Sequence, residues 1–270
     1  MIALLRRNVS VYGALAAAVP KNFLAYSLWF WVGLILNTIQ MMVFVFFWRG
    51  VYATTTTISG LDLQTTLNYI LLAQVFNALT DTNMIWEFGT SIREGNIAHV
   101  LLRPLDVQGS YYVISLANAA TGIVWQIPMA VIATAFFGLR WSLDPAVWVA
   151  FLISALLGRT VLYFFDYLLS SLTFYTTEVW GLGVLIFGMG LFLSGAMVPL
   201  EMMPDWLRTV VLALPFAQTL AVPISLLSGI QPLSEAPRLW LIQLAWIGGL
   251  MVASRVFFNF AVRKVTVQGG

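Results

Sequence analysis

The chain is built around continuous apolar runs, several of them longer than the roughly 20 residues that a helix needs to cross a bilayer. "FLAYSLWFWVGLILNTIQMMVFVFFW", residues 23–48, is the first. Similar runs occupy about 65–86, 110–138, 146–172, 179–198 and 238–260. Of the 270 residues, 60% are hydrophobic and 9% charged, against about 25% charged in ordinary soluble domains. Charge this sparse does not coat a water-facing surface. A transmembrane β-barrel requires alternation of apolar and polar residues, and these runs do not alternate. The fold class is therefore all-α: a polytopic membrane protein with six transmembrane helices. An N-terminal interfacial helix near residues 8–20 precedes them, too short to span. Pro128 is expected to kink the third helix.

Basic residues collect on the cytoplasmic side of short loops. With the N-terminus inside, the inner set is Arg6, Arg7, Lys21, Arg93, Arg103, Arg255, Arg263 and Lys264, eight in all. The outer set is Arg49, Arg140, Arg208 and Arg238, four in all. This excess puts both termini in the cytoplasm. Trp48, Trp86, Trp141, Trp148, Trp180 and Trp240 fall near the expected span ends, as interfacial anchors do.

Much chemistry is excluded at once. There is no cysteine, so disulfides, thiolate metal sites and cysteine nucleophiles are out. A single histidine, His99, does not make a multi-histidine metal site. The two lysines, Lys21 and Lys264, follow Pro20 and Arg263, so the phosphate loop G-x-x-x-x-G-K-[ST] does not occur. No G-x-S-x-G elbow accompanies His99. A formal charge of +2 does not imply nucleic acid.

Three features carry possible function. The first is the connector "SIREGNIAHVLLRPLD", residues 91–106, rich in charge for so apolar a chain. Ala98, Leu101, Leu102 and Leu105 follow a helical i, i+3, i+4, i+7 stripe. Gly95 permits a sharp turn before it, and Pro104, lacking an N–H, ends it. The spacing predicts a helix of two to three turns. It serves either as a lever docked in a partner's groove or as an anchor on the membrane face.

The second is buried charge: Arg159 and Asp166, two turns apart in the fourth span. Ionised groups at membrane depth face protein or a wet path. They are either part of a substrate route or a structural pair. The third is the glycine-rich fifth span, where Gly181, Gly188 and Gly195 recur every seven residues. Such small faces let another helix approach closely, from this chain or a second one. After it, "VPLEMMPDWLRTVVLALPFAQTLAVPISLLSGIQPLSEAP" holds six of the ten prolines. It is too apolar for a free loop and too broken for one span. A re-entrant segment between spans five and six fits, acting as an outer gate or as a packed lid.

Together these blocks resemble the six-span permease subunits of bacterial type-2-class ATP-binding-cassette (ABC) exporters. The resemblance rests on Gly95, Leu101, Leu102, Arg103 and Pro104; on Ser194, Gly195 and Pro199; and on Leu214, Pro215, Phe216, Pro223 and Gly229, in that order. It covers most of the chain and implies one permease domain over residues 1–270, without a nucleotide-binding domain. It also implies residence in the bacterial inner membrane among its lipids, pairing with a second permease chain, the same or related, and two separate ATPase subunits that bind the ATP and Mg²⁺. The connector then acts as the coupling helix. Arg93, Glu94, His99 and Arg103 make charged contacts, and Leu101 and Leu102 fill the groove. ATP-driven movement switches the pathway and exports an amphipathic substrate by alternating access. His99 is not a residue the motif demands, so its contact is peripheral. A self-contained ion-coupled carrier is the alternative. It calls for clustered intramembrane acids and an inverted repeat, whereas Asp166 is the clear acid and Asp81 lies near a span end.

Overall fold

The computed structural model describes residues 13, 27–80, 82, 84–102, 104–176 and 179–264. The expected interfacial helix near residues 8–20 lies outside them except for Gly13, as do Asp81 and Arg103. Four segments are long and apolar enough to cross a membrane: Phe30–Val51, Val107–Phe137, Pro145–Phe174 and Leu233–Lys264. They belong to α1 (Ser27–Val51), α5 (Val107–Phe137), α6 (Pro145–Ser170) and α10 (Ala236–Ala261). The chain is a helical, multi-pass membrane protein. Leu28, Ile35, Val43, Phe46, Val131 and Leu241 are exposed, a surface that suits lipid and not water.

α6 is the central post. In its most apolar stretch 61% of residues are buried, against 11–22% in the other three long helices. α10 packs beside it along most of its length, running the same way. Ala150 of α6 clusters with Leu226 and Ala236, while Tyr163 and Tyr167 cluster with Phe258. Gln243 of α10 is fully buried between them. Its amide donates to the Ser154 and Gln218 carbonyls at 3.0 and 2.9 Å and accepts from the Ser154 hydroxyl at 3.1 Å. Inside lipid such bonds replace water that is not there.

The structure differs from expectation in the second and fifth spans. The run at 65–86 is two helices, α2 (Leu63–Val75) and α3 (Met84–Arg93), joined through a 3-10 turn at Asn77–Thr80. The cause is local: "FNALTDTN" is a polar interruption in an apolar run. The Thr80 hydroxyl donates to the Asn77 carbonyl and lies within hydrogen-bond reach of its side-chain oxygen, at 2.7 and 2.9 Å, which competes with the helix. Trp86 accordingly sits inside a bent segment and not at a span end. α7 (Val179–Leu193) stops after 15 residues, about 22 Å. It ends in a turn at Gly195, whose φ of +81° suits glycine. α5 continues through Pro128 and closes on Gly138 in the left-handed region, φ +73°.

After α7 the chain forms a 3-10 turn at Leu200–Met202, α8 (Asp205–Leu212), a 3-10 turn at Pro215–Gln218, and α9 (Ala221–Ser228). Residues 215–227 are buried throughout. They reach far along α6. A Cβ on Gly158 would lie 2.5 Å from the Gln218 carbonyl oxygen and 3.2 Å from the Thr219 Cα, so only glycine admits this approach. Gly158 is about 20 Å along α6 from its start. At the same end as the α5–α6 turn, a short hairpin pairs Thr57 with Asp62 and Ile58 with Leu61.

Two outcomes check this packing by thermal unfolding of the detergent-purified chain. In Gly195→Ala, the new Cβ meets the Tyr69 hydroxyl and the Ala221 Cβ at 2.8 and 2.9 Å, in a left-handed backbone. The expected loss is at least about 2 kcal/mol. Asp62 caps α2 by accepting from the Thr65 N–H at 3.1 Å, and the Thr65 contacts hold its carboxyl below the usual range. Because the folded value is depressed, this cap stabilises above the unfolded value and fades as pH falls through the folded one. Asp62→Ala then costs about 1 kcal/mol near neutrality, and the gap from wild type closes in acid.

Candidate functional site: a connector, its clamp and a membrane-depth cavity

The connector is more sharply divided than its stripe implied. α3 runs to Arg93, Gly95 turns the chain with φ +75°, and α4 (Ile97–Leu101) follows, five residues long. The expected two to three turns are thus little more than one. Leu102 still bonds back, its N–H to the Ala98 carbonyl at 3.0 Å. Pro104 then cannot donate to continue the ladder. The stripe is also rotated. Ile97 is the buried anchor at 2% exposure, with Val100 and Leu101 packed beside it. Of the two leucines expected to fill a partner's groove, Leu101 packs against the bundle and Leu102 is 82% exposed. Arg93, Glu94, Gly95, Asn96, His99 and Pro104 are exposed with it. One side of the turn is held by the bundle and the other presents charge and a bare leucine. The Asn96 amide donates to the Glu94 carboxylate at 2.9 Å and orders part of that face.

Behind the connector is a polar clamp that sequence reasoning did not assemble. Asp106 caps α5, accepting from the Gly109 N–H at 2.7 Å, and pairs with Arg255 of α10 at 2.5 Å. Gln108 donates to the Ser254 hydroxyl at 2.8 Å and accepts from Arg255 at 3.2 Å. The Tyr163 hydroxyl of α6 donates to the Gln108 carbonyl at 2.5 Å. The start of α5 therefore grips both neighbours: Asp106 and Gln108 hold α10, and the Gln108 carbonyl holds α6. Phe88, Tyr111, Tyr167, Phe174 and Phe258 pack as rings beneath it, with Phe88 centroids 5.3–6.0 Å from the other four.

Arg159 and Asp166 are buried, at 2% and 8% exposure. Each ties α6 to another part of the bundle. Arg159 donates to the Ser115 carbonyl and hydroxyl at 3.1 and 3.0 Å, and to the Leu79 carbonyl at 3.4 Å. Leu79 lies in the break between α2 and α3, where the helix ladder leaves carbonyls over. Asp166 accepts from the Thr82 hydroxyl, in the same break.

That break opens a cavity of about 570 Å³. Asp166, Thr82, Gln74, Asn77 and Gln126 supply its polar wall, and Trp86, Phe187, Phe216 and Met129 its apolar one. Gln126 is 7% exposed, and its amide nitrogen has no hydrogen-bond partner among the described residues. Leaving such a donor unpaired costs about 1–3 kcal/mol. Asn37 also lines the space, from α1. The amides at 37, 74 and 126 were legible as isolated polar residues within apolar runs, the usual sign of an interhelical contact or a lined path.

The glycine face divides. Gly195 is enclosed by Tyr69, Ala221 and Leu200, and the Tyr69 hydroxyl donates to its carbonyl at 3.0 Å. Gly181 and Gly188 have nothing within 4 Å of an added Cβ, so among the described residues their face is open. Gly183, in the same helix, lies against the Trp86 ring. In the proline-rich segment, Pro199, Pro215, Phe216 and Pro223 are all buried. Phe216 meets Phe165 of α6 edge-on at 4.9 Å.

Asp106 and Arg255 are about half exposed, so their pair is worth no more than about 1 kcal/mol alone. Asp106→Ala also removes a helix cap, and about 1–2 kcal/mol is the expected loss. In a thermal-unfolding cycle, Asp106→Ala and Arg255→Ala are expected to couple by about 0.5–1 kcal/mol. Strict additivity contradicts the clamp.

Comparison with known proteins bears on the whole arrangement. A family model described as "ABC-2 family transporter protein" matches residues 38–269. No curated protein gives a match. The matched region contains the connector, the clamp, the cavity and the proline-rich segment, and the chain belongs to the ABC-2 transporter family, as an ABC permease whose general partner is an ABC ATPase.

Proposed function

We propose that the chain is the permease subunit of an ABC exporter, moved by separate ATPase subunits that dock on the connector. The observation that carries this is the two-sided connector. Ile97 fastens it to the bundle, while Arg93, Glu94, His99 and the 82% exposed Leu102 face away. A charged turn with its leucine bare fits an ATPase groove, with Leu102 as the apolar plug and the charges around its rim. Arg103, by sequence, adds to that rim. The family membership favours this over a self-contained ion-coupled carrier.

In this reading six crossings form, the broken α2–α3 segment and the short α7 completing the four long ones. Both termini and the connector face the cytoplasm, following the arginine and lysine bias. The segment from Pro199 to Gly229 is re-entrant from the outer side, with Pro199, Pro215, Phe216 and Pro223 shaping the outer gate. The open face at Gly181 and Gly188 receives a second permease chain, and lipid covers the remaining apolar surface. Two ATPases bind ATP and Mg²⁺. Their closure pushes the connector, and the Asp106–Arg255–Gln108 clamp passes the movement to α5, α6 and α10. Alternating access then carries an amphipathic substrate outward.

The test replaces Leu101, Leu102 and Arg103 together with alanine, in a chain purified with its native partners. Co-purifying ATPase and ATP-driven transport are each expected to fall at least about tenfold, as when a central plug is removed. His99→Ala, at the rim, is expected to change both less than about threefold. Survival of ATPase association and transport in the triple variant contradicts the docking role.

A further inference from the structure

We infer that the cavity at the α2–α3 break binds an uncharged amphiphile by an amide-type head, a group that carries both a hydrogen-bond donor and an acceptor. This rests on the permease reading and specifies its substrate class. The polar wall divides into groups already engaged and groups left over. Asp166 is partnered within the protein, the Thr82 hydroxyl among its partners. No lysine, arginine or histidine lines the cavity among the described residues. The Gln74 amide donates to the Ala196 carbonyl at 3.4 Å, and the Thr80 hydroxyl lies 2.9 Å from the Asn77 side-chain oxygen. Gln126 is different. It is 7% exposed, it lines the cavity from α5, and its amide nitrogen meets no acceptor among the described residues. A buried donor of this kind is rare, because pairing is the rule in folded proteins. Its complement in a ligand is an acceptor oxygen.

The acceptor comes from Asn37, on α1. Its amide nitrogen is committed to the Gly33 carbonyl at 2.8 Å, so its oxygen is the atom it offers the cavity. One donor and one acceptor, both neutral, match the C=O and N–H of an amide. A charged head finds no such match. An anion meets no cationic side chain on the described wall, and for a cation the carboxylate there is already engaged. Trp86, Met129, Leu162 and Phe216 make much of the remaining wall apolar. An apolar lining with a few placed polar groups is the usual make-up of a small-molecule site, and 570 Å³ falls within the usual range of about 300–1,000 Å³. On the permease reading the mouth faces lipid. Asn37 of α1 and Val184 and Phe187 of α7 are exposed lining residues, Phe187 at 67%. They stand about 15, 8 and 12 Å from the starts of their helices. The opening is thus at membrane depth, where an apolar tail leaves the site for the hydrocarbon.

The test uses the full chain purified with its ATPase in lipid nanodiscs, and probes that share one skeleton. N-octylbenzamide carries the amide, octyl benzoate lacks the N–H, and N-octylbenzylammonium lacks the carbonyl and is charged. Saturable binding above that of empty nanodiscs is expected for the amide, at least about threefold tighter than the ester and at least about tenfold tighter than the ammonium. Gln126→Leu removes the unpaired donor with a side chain of similar size. It is expected to weaken amide binding at least about tenfold. Its melting temperature is expected to stay at or above that of wild type, since the nitrogen it removes has no partner among the described residues. Ester or ammonium bound as tightly as the amide, an unaffected Gln126→Leu, or a variant that melts below wild type overturns the inference. The ranking of the probes in wild type holds independently of the variant. If no ATPase co-purifies with wild type, the permease reading fails. If it co-purifies and the amide does not bind saturably, the amide site alone fails.

Discussion

The architecture depends on Arg159. A guanidinium in the middle of an apolar helix is costly unless its donors are met. Here they reach Ser115 on α5 and the Leu79 carbonyl in the break between α2 and α3. That carbonyl is available because the helix ladder fails there. The arginine and the break thus require each other: the break supplies an acceptor, and the arginine makes a broken backbone tolerable in lipid. Thr82 and Asp166 repeat the arrangement two turns further along α6. The cavity is the space this pinned break leaves, and α3, carried on from it, delivers the connector to the end of the bundle.

A second constraint is the absence of a side chain at Gly158. It lets the turn at 215–218 lie against the backbone of α6 well away from the helix start. Gln243 then ties that turn to α10 through the Gln218 carbonyl. Buried on both sides, the proline-rich segment is packed and not loose. It reaches the cavity through Phe216. In the proposed role of outer gate, it would open only when α6, α10 and the turn part together.

Much of this was legible in the sequence where a signal is long and periodic. The four long helices follow from continuous apolar runs, and the connector's ends from Gly95 and Pro104. What failed, failed for physical reasons. Averaging hydropathy over 65–86 hides the polar run from Asn77 to Asn83, so one span was expected where two helices stand. Heptad spacing of Gly181, Gly188 and Gly195 ignored that Gly195 lies beyond the helix, in the left-handed region. The leucine stripe assumed a helix continuing past Leu101. Once α4 ends there, Leu101 packs with Ile97 against the bundle, and Leu102 alone of the pair faces outward. Arg159 and Asp166 were recognisable as buried charge, but their partners include two carbonyls and two hydroxyls, which leave no charge pattern to read.

The connector joins these parts into one device. Its buried side meets the ring cluster around Phe88, and its last residue, Asp106, is bonded to α10 and caps α5. In the proposed mechanism, force applied to the bare face around Leu102 would pass to three helices, α5, α6 and α10. The absence of cysteine from the chain permits a direct measurement. A single cysteine at the exposed His99 position, and another at Leu143, 96% exposed in the α5–α6 turn at the other end, can each be charged with a photoreactive cross-linker in the ATPase complex. The account predicts that the probe at 99 captures the ATPase and the probe at 143 does not. Capture from 143, or from neither position in a complex that retains its ATPase, contradicts it.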